Sequence, residues 1–166
     1  DVYAKRLTSE GMLGGPFRME TEINPHNPPV RIPASGDVFS FDLSVNEIDS
    51  SGGLFDIWIQ AVRSTGQKTE IAHRRNICIQ PLGNINRLNL EQNVPGAVPA
   101  GDYAYIVHIG NYRYHSSWAS DTLIFRKIGG ETAQANIARQ EWELSGFFED
   151  ESAEESAGAA ASDENS

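Results

Sequence analysis

The sequence predicts an all-β chain: a two-sheet antiparallel sandwich of seven to nine strands, followed by a short helix or extended segment and an acidic tail. Two observations predict it. Apolar and polar residues alternate in one short segment after another, each bounded by Pro, Gly, Ser or Asn, the pattern of half-buried strands packed sheet on sheet. The clearest case is residues 93–127, where Tyr103, Tyr105, Val107 and Ile109 alternate with Asp102, Ala104, Ile106 and His108. Gly110 closes that strand, an aromatic loop follows, and residues 122–127 alternate again.

The elements follow in chain order. Residues 1–16 mix charge with Gly and read as an N-terminal arm. Residues 17–23 alternate Phe17, Met19, Thr21 and Ile23 against Arg18, Glu20 and Glu22, a first strand. The prolines at 25, 28 and 29 then prevent continued ladder bonding. A short strand, residues 30–32, precedes the turn Pro33-Ala34-Ser35-Gly36, and residues 37–46 set Phe39, Phe41, Leu43 and Val45 on one face. Residues 54–62 are largely apolar on both faces, which predicts a central strand with one face lying under another element. A hairpin turn at 64–67 leads into residues 68–72, and residues 77–79 and 87–90 read as further short strands. Within residues 76–79, Cys78 reads as a small buried hydrophobe. The sandwich is placed at 17–130, a linker with an apolar cluster at 131–148, and the acidic low-complexity tail at 149–166. Residues 131–144 have a composition that permits a short helix, and the tail's composition disfavours a packed core.

Charge narrows the partners. The formal net charge is −10, yet all 13 Lys and Arg lie at or before Arg139 and nine of the 23 acidic residues lie from Glu141 onward. Residues 1–140 are thus close to neutral, with no basic face for nucleic acid or anionic membrane. No apolar run approaches the roughly 20 residues needed to span a bilayer. The single cysteine excludes an intrachain disulfide. The chain opens on Asp1 rather than Met, as signal-peptide cleavage or trimming would leave it.

Several motifs follow one another in order: Pro28-Pro29-Val30-Arg31-Ile32-Pro33-Ala34-Ser35-Gly36, Phe39-Ser40-Phe41, Phe55-Asp56-Ile57-Trp58, Asn93-Val94-Pro95 and Pro99-Ala100-Gly101-Asp102-Tyr103-Ala104-Tyr105. Gly110, Tyr112, Trp118, Ser120, Asp121, Phe125 and Lys127 complete the pattern over roughly residues 25–128. The pattern resembles the immunoglobulin-like modules of secreted bacterial surface proteins, of the type that precedes a C-terminal secretion or sorting domain, with Leu123 where that family has Phe. The resemblance implies an immunoglobulin-like or fibronectin-III-like sandwich, an extracellular or cell-surface location and a non-catalytic role.

The candidate contact residues are Tyr112, Tyr114, His115 and Trp118, because exposed aromatic rings desolvate cheaply and keep a polar edge for a protein or a sugar. Trp58 is expected in the core. Phe17, Met19, Trp142, Leu144, Phe147 and Phe148 are candidate docking residues, the last four too apolar for a solvated tail. His26, His73, His108 and His115 lack short metal-ligand spacing, though His108 and His115 would approach each other across a hairpin. Asp49 and Asp121 lack the clustered acidic neighbours of a calcium loop. No nucleophile elbow, P-loop or dinucleotide fingerprint occurs. The expectation is therefore a non-catalytic structural or interaction protein with no metal or cofactor. Its expected partner is a protein, including a second copy in a filament built by strand addition. The alternative is a carbohydrate-binding accessory module.

Overall fold

A computed structural model describes residues 18–49, 52–129 and 141–147. The arm at 1–16, Phe17, the helix-permitting stretch 131–140, Phe148 and the tail at 149–166 lie outside the described residues. The strands are β1 (Met19–Pro25), β2 (Val30–Ile32), β3 (Gly36–Glu47), β4 (Gly53–Arg63), β5 (Lys68–Ile79), β6 (Asn84–Pro95), β7 (Gly101–Asn111), β8 (Ser116–Lys127) and β9 (Glu143–Ser145). One sheet runs β9-β6-β3-β1 and the other β2-β8-β7-β4-β5. Every pairing is antiparallel except β2 with β8. The fold is an immunoglobulin-like β-sandwich, as predicted. The proline segment after β1 accounts for the crossover: the chain leaves the first sheet at Pro25 and joins the second at Val30, because prolines cannot extend the ladder.

The alternation read in β3 and β7 points inward as expected. Phe39, Phe41, Leu43 and Val45 face Tyr103, Tyr105, Val107 and Ile109 across the sheets, all buried. Tyr105 is fully buried and meets Phe39 and Phe41 edge-on at 5.2 and 5.5 Å between centroids. Its hydroxyl donates to Gln92 Oε1 at 2.5 Å, and burial pushes its pKa well above the usual phenol value. At the β6–β7 corner, the Tyr103 hydroxyl donates to the Pro99 carbonyl four residues upstream at 2.6 Å. This is the tyrosine corner that fixes the entry of the corresponding strand in immunoglobulin-like sandwiches. Lys127 is buried, and its Nζ donates to the carbonyls of Ala34 and Gly96, each at 3.0 Å. Burial lowers its pKa, and the contact joins the β2–β3 turn to the β6–β7 turn.

Four sequence expectations change. Cys78 is exposed, because Ile77 and Ile79 take the inward positions of β5 and leave Cys78 facing out. Residues 68–72 and 77–79 form one strand, with two register shifts against β4 and Asn76 at φ 62°. The extra residue there breaks the alternation, so the sequence reads as two segments. Within the stretch read as a linker, residues 141–147 contain a strand at the edge of the first sheet, where Leu144 lies opposite Gln92. Of the apolar cluster, Trp142, Leu144 and Phe147 dock on their own sandwich. Leu144 and Phe147 are buried, and Trp142 packs on the core beside Tyr103 and Phe125. Two polar side chains of β6 hold the segment: Gln92 Nε2 donates to the Glu143 carbonyl at 3.2 Å and Asn93 Nδ2 to the Glu141 carbonyl at 2.8 Å. Met19, a candidate for docking on a neighbour, is likewise buried in its own core.

Candidate functional site

The aromatic loop begins where β7 ends. Gly110 is required there by close approach: a Cβ at this position would lie 2.0 Å from the Ser116 carbonyl oxygen. Residues Tyr112–Tyr114 form one turn of 3₁₀ helix, whose cap His115 takes a left-handed conformation (φ 53°) and donates its N–H to the Tyr112 carbonyl at 3.0 Å. Asp56 anchors this turn from below. It is buried, with Oδ1 accepting the Asn76 N–H at 2.9 Å and Oδ2 the Tyr112 N–H at 2.8 Å. One carboxylate thus joins the β5 bulge to the loop.

Trp58 lies under the loop. It is buried as expected, but Phe55, Ile57, Ile59 and Ala61 hold the inward phase of β4, so Trp58 faces outward. It is nevertheless only 2 % exposed, because other rings roof it. His108 stacks on it at 5.1 Å, and Tyr112 and His115 meet it edge-on at 5.7 and 6.0 Å. His73, opposite Trp58 in register, stacks on Tyr112 at 4.1 Å. Glu70 secures that stack, accepting from the Tyr112 hydroxyl at 2.6 Å and contacting His73 Nδ1 at 2.8 Å. The bond to Glu70 raises the Tyr112 pKa above its ordinary value.

His108 is the least satisfied group of this cluster. Its Nδ1 lies 3.1 Å from Ser117 Oγ, while Nε2 is buried without a partner. Burial lowers its pKa, with the positive fields of Lys68 and His115 acting in the same sense. The unfolded chain therefore takes up this proton near the ordinary pH of about 6.5, before the folded chain does, and stability falls as pH drops through that value. We expect the urea midpoint of the wild type to fall from pH 7 to pH 5, and to fall less in His108→Gln. For one proton the slope is at most about 1.4 kcal/mol per pH unit, and solvent access keeps it smaller. Parallel declines in the two proteins would contradict this.

The four loop candidates separate into two roles. Tyr112 is half-buried and His115, though exposed, packs against Trp58, so both form the roof. Tyr114 is 70 % exposed, with the Arg113 guanidinium 5.6 Å from its ring centroid. Trp118 is half-buried at the margin of the core. Asp56, His73 and Arg75 were not among the candidates read from the sequence, and His108 was placed only beside His115 across a hairpin. The Phe-Asp-x-Trp motif carried Asp56, but its role depends on a turn 56 residues away.

His108 and His115 do converge on Trp58, yet among the described residues no group of three or more His, Cys, Asp or Glu is placed to hold a metal. Asp49 accepts the Arg18 N–H at 3.1 Å, and Asp121 accepts the Ile23 and Thr122 N–H groups, each at 2.9 Å. A wider polar groove of about 460 Å³ between β1 and β8 is lined by Glu20, Glu22, Asn46 and Asp121 among others. No helix among the described residues is long and apolar enough to cross a membrane.

No family model matches the chain, and no curated protein matches it. Among solved structures it is similar to a β-glucosidase from Listeria innocua in complex with glucose, at 12 % identity and TM-score 0.46 over 67 % of this chain. The match spans only 16 % of that enzyme. It is also similar to the CARDB domain of the PF1109 protein from Pyrococcus furiosus in complex with di-metal ions, at 12 % identity and TM-score 0.48, covering 71 % of this chain and 95 % of that one. A third likeness is to the alkylpurine DNA glycosylase AlkC of Pseudomonas fluorescens, at 15 % identity and TM-score 0.39 over 63 % of this chain and 30 % of the other. At these identities and scores the likenesses say nothing of what this chain binds.

Proposed function

We propose that the chain is an extracellular, non-catalytic interaction module that associates with a second copy through the outer face of its five-stranded sheet. One observation carries this reading. The free face of an antiparallel sheet is ordinarily polar, but here Ile124, Ala104 and Val62 stand side by side across three strands, with Ile106 in the next row. Ile124 is 59 % exposed and the other three are half-buried. Among the described residues no further element covers this strip.

The charges around it favour a second copy as occupant. Asp102 and Arg126 pair bidentately at one border (2.9 and 3.1 Å), and exposed Lys68 and Glu70 stand at the other. A face bearing both signs beside an apolar strip can meet itself about a two-fold axis with opposite charges in contact. Strand addition has less support: β1, part of the segment that would be donated, is already paired to β3 along its whole length, and the register shifts of β5 roughen its free edge. The non-catalytic part rests on how the buried polar groups are used. Asp56, Gln92 and Lys127 each bond backbone groups that position turns and strands.

Sedimentation velocity tests the reading. The wild type should dimerise with rising concentration, and Ile124→Glu should weaken the dimer at least about tenfold, since it places a charge in a desolvated strip. A wild type that stays monomeric at every attainable concentration would overturn it, as would an Ile124→Glu variant that dimerises equally well.

A further inference from the structure

Where β4 begins and β7 ends, beyond the Trp58 cluster, the surface folds into a recess of about 250 Å³. Its lining includes Asp56, Arg75, Asn76, Arg113, Tyr114 and Trp118. It is separate from the apolar strip, and self-association makes no use of it.

The charge of this recess is unbalanced. Asp56 is the one carboxylate among its lining residues, and both of its oxygens accept backbone N–H groups. Among the described residues neither the Arg75 nor the Arg113 guanidinium has a carboxylate partner. Two planar forks that match a carboxylate bidentately therefore border one small concavity. Beside them stand two aromatic side chains, Tyr114 largely exposed and Trp118 at the wall. The exposed Asn76 adds a side-chain amide, which can both donate to and accept from hydroxyl groups.

Guanidinium groups for a carboxylate, aromatic rings for a C–H face and an amide for hydroxyls together describe a carboxylated sugar ring. A neutral sugar would leave both cations without a partner. An extended acidic peptide would need main-chain partners along a strand edge, and the β5 edge beside the recess is interrupted by its bulge at Asn76. The recess is open and of the size of a single ring, which suits one residue of a longer polymer. We infer that this recess binds a uronate residue of an acidic polysaccharide, with Arg75 and Arg113 holding the carboxylate and Tyr114 and Trp118 against the sugar ring.

The test compares three probes on the intact chain: a galacturonate oligosaccharide, a neutral galactose oligosaccharide of equal length, and a polyglutamate peptide. Binding is read by tryptophan fluorescence and by amide chemical shifts. The galacturonate probe should move the amides of residues 74–76 and 110–118 and bind at least about tenfold tighter than either other probe, the difference a charge-assisted bidentate contact makes. Added salt should weaken it. The double substitution Arg75→Gln with Arg113→Gln, and separately Tyr114→Ala, should each reduce binding about tenfold or more while leaving the amide spectrum outside the recess in place. Ile124→Glu should bind as the wild type does. Equal binding of the neutral sugar would refute the carboxylate contact, and equal binding of polyglutamate would reduce the site to general anion attraction. Shifts located elsewhere, or absent up to about 10 mM probe, would overturn the site altogether.

Discussion

Tyr105→Ala is expected to lower the unfolding free energy by about 4–5 kcal/mol, read from urea unfolding at pH 7. Removing a buried aromatic side chain costs about 3–5 kcal/mol through lost transfer energy and the cavity left behind. Here the cavity opens between Phe39 and Phe41, both of which rest edge-on against the ring. The substitution also deprives Gln92 Oε1 of its donor inside the core. Tyr105→Phe separates the two contributions. It keeps the ring and leaves only the unsatisfied amide oxygen, about 1–3 kcal/mol. A domain of this kind has roughly 5–15 kcal/mol in total, so the alanine variant should lie close to its unfolding threshold. If both variants unfold at the wild-type midpoint, the bond and the ring packing are not what hold the two sheets together.

The second large effect is expected at Gly110. Alanine there would bring its Cβ to 2.0 Å from the Ser116 carbonyl oxygen and 3.0 Å from the Trp118 nitrogen. Both atoms are backbone, so no side-chain rotation relieves the overlap. The β7–β8 pairing must shift, at a cost of about 3 kcal/mol or more. The effect should reach past stability, because the same residues aim the loop. The Tyr112 N–H bond to Asp56 and the stack of Tyr112 on His73 both depend on where β7 ends. A folded Gly110→Ala protein should therefore show altered near-ultraviolet circular dichroism from Trp58 and Tyr112. An unchanged spectrum and midpoint would contradict the close approach.

These two residues also mark what the sequence made legible. Tyr105 could be read inward because β7 separates core-facing from outward-facing residues by simple alternation. β3 was readable for the same reason. β4 carries apolar residues in both phases, so its central place was legible but the direction of Trp58 was not. Only the match of Phe55, Ile57 and Ile59 to the opposite sheet decides it. The loop at 111–118 announced itself by its aromatic content. Its supporting residues did not, because Asp56, His73 and Arg75 reach it through strand pairings whose register is shifted by an extra residue near Asn76. Cys78 was misread for a related reason: its isoleucine neighbours suggested burial, but in a strand neighbours point to opposite faces. The cluster of Trp142, Leu144 and Phe147 declared a need for cover. Its partner on β6 was hidden because two of the residues that receive it, Gln92 and Asn93, are polar.

That last arrangement has a consequence for how the sandwich keeps foreign chains away. The outer flank of β6 is a hydrogen-bonding template, and β9 occupies part of it. Because β9 belongs to the same chain, it competes for that flank at an effective concentration in the millimolar range. It also brings Leu144 and Phe147 into the core. An intruding strand would have to replace the ladder bonds, the contacts from Gln92 and Asn93 and two buried apolar side chains together. The segment 143–145 thus occupies three positions of that flank that a strand from another chain would otherwise meet unpaired.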